Sequence, residues 1–189
     1  MPTDLHLACF FGYGSLVNRA THSYPGAIPA RLPGWRRVWV HTAARPVAYL
    51  SAEPAPGVVI DGLLAEVPGG DWSALDLREA AYLRHPVDVE CAGQGRSAQV
   101  YAVPPDGAVP PRTRHPVLLS YLDAVVQGFL REWGPEGVQR FFATTAGWDA
   151  PFLDDRAAPR YPRAQRLDAA ETALVDDGLA RVGARRITA

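Results

Sequence analysis

Residues 87–103, VDVECAGQGRSAQVYAV, decide how the first half of the chain reads. Val87 and Val89 alternate with Asp88 and Glu90, the two-residue period of a strand with one buried face. Gly93-Gln94-Gly95 interrupts the run, and Ser97–Val103 follows as a hairpin partner. Upstream, more strands come in the same close succession. Leu7–Tyr13 is a compact apolar run ending in glycines. Trp35–Val40 sets Trp35, Arg37 and Trp39 against Arg36, Val38 and Val40. Val47–Ala52 is a short candidate, and Pro56-Gly57 then turns into Val58–Val67, apolar on both faces and so expected to be central.

Between these strands one helix is expected over about Asp71–Leu83, with Asp71 as its N-cap. Downstream, Pro104–Pro116 holds five prolines and reads as a loop. A helix over Pro116–Trp133 carries the apolar stripe Leu118, Tyr121, Leu122, Val125, Phe129, and Gly134-Pro135 ends it. A shorter helix spans Pro135–Phe142, Trp148–Arg166 is Pro- and Arg-rich and irregular, and an amphipathic stretch runs over Ala169–Val182. Strands in hairpin-like succession, not alternating with helices, place the chain in the α+β class with an antiparallel or mixed sheet. The expected organisation is a single domain over 1–189 with an irregular C-terminal extension from about 148.

Composition narrows the function classes. The 189 residues carry 19 basic and 20 acidic side chains, a net charge of −1, which does not suit a dedicated nucleic-acid binder. All the basic residues are Arg, so chemistry that needs a lysine is excluded: Schiff bases, Walker-type P-loops and protein kinases. Cys9 and Cys91 form no CxxC pair, and His6, His22, His41, His85 and His115 are scattered, so no metal signature is present. The N-terminus MPTDLHLACFF lacks a basic leader region, and no window offers the ~18 apolar residues of a membrane span. The expectation is a cytoplasmic protein with neither a membrane nor a nucleic acid as partner.

Three places could carry chemistry. Gly12-Tyr13-Gly14-Ser15-Leu16 is either a glycine turn after a buried strand or a nest of N–H groups facing an anion. It has no GK[ST] and no third glycine of a dinucleotide fingerprint. At about 100° per residue, Glu79 falls within the apolar arc of Trp72, Leu75, Tyr82 and Leu83. A carboxylate there is either paired with a buried Arg, turned outward by a helix rotated so that Leu77 faces inward, or kept in an apolar pocket with a raised pKa, fit to act as a base. Tyr121 is either core or a phenol ending in a cavity. The tail arginines, Arg156, Arg160, Arg163, Arg166, Arg181, Arg185 and Arg186, are either solvated and acid-paired, or one of them reaches a substrate carboxylate.

Together these segments resemble the γ-glutamylcyclotransferase superfamily. Gly12-Tyr13-Gly14-Ser15-Leu16 is similar to its Y-G-S-[LN] substrate loop, and Leu75-Asp76-Leu77-Arg78-Glu79 to its L-D-x-[RQ]-E segment. Tyr121-Leu122-Asp123 running to Gly128 is similar to its Y-x-x-x-[VI]-x-x-G helix. The three motifs stand in order over about residues 8–130. The tail after Trp148 lies outside the resemblance, and Phe10-Phe11 before Gly12 departs from the glutathione-specific, ChaC-like branch.

The resemblance implies a small mixed β-barrel flanked by helices and a cofactor-free reaction. In it, the α-amine of a γ-glutamyl group attacks its own γ-carbonyl, giving 5-oxoproline and a free amine or amino acid. It assigns Glu79 as catalytic and Tyr13, Gly14, Ser15, Leu16 and Tyr121 to substrate binding, with no metal. The alternatives are a non-catalytic small-molecule or protein-binding module on the same scaffold, and a γ-glutamyl amide hydrolase.

Overall fold

The structure is a computed structural model that describes residues 8–43, 45–109 and 114–188. Outside them lie residues 1–7, on which the leader reading and the start of the first strand rest, and residues 110–113 of the proline loop.

Five strands close into a barrel: β1 (Cys9–Gly12), β2 (Ile28–His41), β3 (Ala48–Glu66), β4 (Leu83–Cys91) and β5 (Gln94–Ala102). Their order around the barrel is β3-β1-β5-β4-β2, and a β2–β3 pairing shuts it. The sheet is mixed, because β1 runs parallel to β5 while the other pairs in the ring are antiparallel. The hairpin in residues 87–103 is β4–β5, extended at both ends. Its turn begins one residue before the glycine stretch, at Ala92-Gly93, where both φ values are positive (49° and 77°). That is the geometry of a primed two-residue hairpin turn, whose twist matches the flanking strands.

Pro56-Gly57 does not reverse the chain. Residues 48–66 form one long strand that bends through Pro54–Gly57, in a bulge opposite Gly34 of β2, between the Pro33–Val59 and Trp35–Pro54 pairs. Two steps on β2 face five on β3 there, so the surplus residues belong to β3, while Gly34, with φ 76°, breaks the alternation of β2. The bulge shifts the two-residue period, so inward positions change from Ala30 and Leu32 to Arg37 and Trp39. Without that shift, Arg37 would face solvent. Instead it is fully buried, donates to the carbonyls of Tyr13 and Asp61 and to Thr144 Oγ1, and lies 4.7 Å from the centre of the Phe129 ring.

The helix expected over Asp71–Leu83 is a shorter α1, Ser73–Arg78. Its N-cap is Trp72, not Asp71, and makes no side-chain cap bond; the Asp71 carboxylate instead accepts from the N–H and hydroxyl of Ser73 just inside the helix. Only Leu75 is buried on it, and Leu77 is 80% exposed. One buried leucine contributes about 1.5–3 kcal/mol, too little to hold a longer helix against the barrel. The chain therefore leaves the helix at Glu79 (φ −102°, ψ 33°) and re-enters the barrel as β4.

A two-residue strand β6 (Val117–Leu118) leads into α2 (Leu119–Ala143), buried almost all round over its first half. Gly134, with φ 65° and ψ −167°, breaks α2 ahead of Pro135, where the sequence divides it into two helices. β7 (Thr145–Ala146) adds to the outside of β2. The tail is more ordered than its composition suggested. β8 (Phe152–Asp154) pairs in parallel with β6 and with β9 (Arg186–Thr188), and α3 (Ala169–Arg181) starts at an Asp168–Glu171 capping box. Between β8 and α3, residues 155–168 run as a strap. The aromatic core of Trp39, Phe141, Phe142, Trp148 and Phe152 joins barrel, α2 and tail.

Candidate active site

The loop after β1 enters a short 3-10 turn, Ser15–Val17, so the N–H groups of Ser15 and Leu16 precede its first internal bond, Val17 to Gly14. Gly14 is required where it stands, because a Cβ there would lie 2.8 Å from the Tyr121 hydroxyl. α2 brings Tyr121 to this point and is itself drawn onto the loop. Asn18 donates to the Ala124 carbonyl at 2.8 Å and to Gln127 at 3.0 Å, and Gly128 leaves room for the Asn18 backbone. His22 Nε2 bonds the Leu16 carbonyl at 2.9 Å, so the loop is fixed from both sides.

Above the loop opens a cavity of about 670 Å³. Its lining includes Ser15, Tyr49, Leu50, Arg78, Glu79, Tyr82 and Tyr121, and the strap adds Arg160, Tyr161 and Arg163. Beneath it lies a void of about 30 Å³ bounded by Tyr13, Gly14, Leu16, Glu79, Tyr82 and Tyr101. Glu79 thus borders both. Arg78 Nε lies 3.2 Å from the Glu79 carboxylate, and the same guanidinium donates to the Thr21 carbonyl and to Ser15 Oγ. Burial pushes the Glu79 pKa up, and the charges of Arg78 and Arg163 offset only part of that rise. The result is a carboxylate that takes up a proton more readily than an exposed one.

A shell of phenols surrounds it. Tyr82 donates to the Leu50 carbonyl at 3.0 Å and Tyr13 to the Tyr101 carbonyl at 2.6 Å. Burial raises both pKa values well above the ordinary phenol, so both stay neutral donors. Burial likewise raises Tyr121, despite the Ser15 N–H directed at its oxygen. Tyr161 meets the Tyr121 ring edge to face at 5.0 Å.

The expected residues therefore converge, but not in equivalent positions. Glu79, Ser15 and Tyr121 line the open cavity, whereas Tyr13, Gly14 and Leu16 reach only the inner void. The Tyr13 hydroxyl is committed to the backbone, and the Leu16 side chain packs with Phe10 and Leu75 in a satellite core. Glu79 stands at the residue after α1, not on its apolar face as the helical arc placed it. The tail arginines divide: Arg156 pairs with Asp123 and Asp176, and Arg186 with Asp154 and Asp176, while Arg160 and Arg163 line the cavity. Sequence reasoning did not single out Tyr49, Tyr82 or Tyr161 as cavity residues. Tyr49 and Tyr82 lie in local patterns indistinguishable from core packing, and Tyr161 stands in an irregular Pro- and Arg-rich segment with no period to place it.

Residues 10–121 match the family described as γ-glutamyl cyclotransferase, AIG2-like. The chain belongs to this family. Among solved structures, a γ-glutamyl cyclotransferase is 15% identical with a TM-score of 0.59, over 90% of this chain and 98% of the other. An uncharacterized protein of Homo sapiens is 16% identical, with a TM-score of 0.58 over 90% and 99%. YkqA of Bacillus subtilis is 21% identical, with a TM-score of 0.57 over 75% and 56%. No curated protein matches the sequence. The γ-glutamyl cyclotransferase fold is thus common to these chains, and the family match spans the loop after β1, Glu79 and Tyr121. The strap lies beyond the matched residues.

Proposed function

We propose that this chain cyclises a γ-glutamyl amide or peptide to 5-oxoproline, releasing an amine or amino acid, with Glu79 as general acid and base. The observation that carries this reading is the half-buried carboxylate with a raised pKa, placed between the glycine loop and the open cavity. The nucleophile is the substrate's own α-amine, so the protein need only bind, orient and help protons pass from that nitrogen to the leaving one. Glu79 takes a proton from the α-ammonium, and the freed nitrogen attacks the γ-carbonyl carbon. The new C–N bond closes the five-membered ring, and Glu79 returns the proton to the leaving nitrogen as the old C–N bond breaks. The ring nitrogen's second proton then passes to the released amine, which departs as an ammonium, leaving the neutral lactam. Ring closure is intramolecular, so holding the reactive rotamer supplies much of the acceleration. N–H groups of Gly14, Ser15 and Leu16 would hold the α-carboxylate or the developing oxyanion, with Tyr121 lining the pocket and Tyr13 bracing the loop from below.

Product analysis in ¹⁸O-water tests the reaction. γ-Glutamyl compounds should give 5-oxoproline without free glutamate, above the spontaneous rate, and their N-acetyl analogues should be inert. Labelled glutamate as the primary product, or cleavage of an acetylated analogue, would identify a hydrolase. Binding of γ-glutamyl compounds without turnover would identify a binding module.

A further inference from the structure

We propose that Arg160 and Arg163 of the strap, together with Arg45, form an anion subsite for the leaving group, and that the preferred substrates are γ-glutamyl derivatives of acidic amino acids. The inference rests on the cyclotransferase reading and adds the acceptor side to it.

Four arginines, Arg45, Arg78, Arg160 and Arg163, line the open cavity, and Glu79 is the one acid among its described lining residues. Arg78 is committed to Glu79, Ser15 and Thr21. None of the other three has a carboxylate within 4.0 Å among the described residues, whereas Arg156 and Arg186 of the same tail each pair with two. A γ-glutamyl group brings one ammonium and one carboxylate, so its net charge is zero and the three guanidiniums stay unneutralised. An anionic leaving group is their complement, and each guanidinium can fork onto a carboxylate.

The strap backbone at Arg160 and Tyr161 is fixed. Buried Asp155 accepts from the N–H and hydroxyl of Ser120 at 2.8 and 2.6 Å and from the Arg160 N–H at 2.9 Å. The Tyr161 N–H closes the clasp on Ser120 Oγ at 3.2 Å. Arg163 stands near enough for its charge to act on Glu79, so the subsite adjoins the carboxylate that would protonate the leaving nitrogen.

The test measures binding of γ-glutamyl-glutamate and γ-glutamyl-n-butylamide to Glu79→Gln by calorimetry, with 5-oxoproline release by the unaltered protein in parallel. The acidic compound should bind at least about tenfold tighter at low salt, the scale of two partly exposed charge-assisted contacts. In the Glu79→Gln background, adding Arg160→Ala and Arg163→Ala should shrink that ratio to about threefold or less. Arg160→Lys with Arg163→Lys should keep part of it, and 0.5 M salt should weaken it. Equal affinities, or a ratio untouched by the alanine pair, would overturn the subsite even if both compounds are cyclised. A preserved preference with no 5-oxoproline from either compound would support the subsite and overturn the reaction instead.

Discussion

Glu79 is held where water would ordinarily stabilise its charge and here does not. Only Arg78 and Arg163 offset its desolvation, and the balance still favours the protonated form relative to a free glutamate. Glu79→Gln should lower 5-oxoproline release by ~10²–10⁴-fold, as loss of a general base does, and steady-state kinetics against a γ-glutamyl dipeptide would show it. The same substitution should affect stability in the opposite direction. A carboxyl whose folded pKa is raised stabilises the fold below its unfolded pKa, and that contribution is lost as pH rises through the folded value. Glu79→Gln should therefore match the parent protein near pH 4 relative to pH 8, where its melting temperature should gain on the parent's; an advantage that shrinks as pH rises would contradict the buried-charge account. For the same reason the acid limb of the rate profile should lie above the usual carboxylate range. Tyr121→Phe should change KM or kcat by only a modest factor, since one hydroxyl contact is worth about 0.5–1.5 kcal/mol; unaltered kinetics would return the phenol to the core. At this scale the sequence was informative about Glu79 for a simple reason: a charge amid Trp72, Leu75 and Tyr82 is out of pattern. It was uninformative about Tyr49 and Tyr82, because a phenol facing a cavity and a phenol facing a core have the same neighbours in sequence, and about Tyr161, because an irregular segment has no period to show where it folds back.

Elements bring these residues together by close backbone approach, and Gly128 is the clearest instance. A Cβ there would lie 2.7 Å from the Asn18 amide nitrogen and 2.9 Å from its Cα. Gly128→Ala should push α2 away from the loop after β1 and cost about 1–3 kcal/mol, as overpacking does. The shift would appear in the urea midpoint and as a larger loss of turnover than of stability. The β4–β5 hairpin, the break at Gly134-Pro135 and the α3 region were legible because each is written in local period or local backbone chemistry. The continuity of β3 was not. Pro56-Gly57 has the composition of a reversal, and only its position in the bulge opposite Gly34 makes it a bend in one strand. β8 and β9 escaped notice because three residues are too few to show a period.

Across the whole molecule the strap is the part whose place depends on distant contacts. Asp155→Ala would leave the Ser120 and Arg160 donors without their acceptor at a buried position, and should cost about 1–3 kcal/mol in urea unfolding. It should also weaken binding of γ-glutamyl-glutamate more than that of the neutral amide. Among the described residues there is no group of three or more His, Cys, Asp or Glu arranged to hold a metal ion, so turnover should persist in EDTA; restoration by zinc or manganese after a loss would contradict this. No helix among them is long and apolar enough to cross a membrane. The three-stranded parallel sheet of β6, β8 and β9 carries a further consequence, for the order of synthesis. The barrel strands all lie within residues 9–102, but β8, from which the strap departs, is flanked by residues 117–118 and 186–188. On the ribosome the barrel and its glutamate emerge first, and β8 cannot gain its second neighbour until residue 188 has cleared the exit tunnel. The nascent chain therefore holds Glu79 before it holds the strap that walls the cavity, and the strap's place is the last to be fixed.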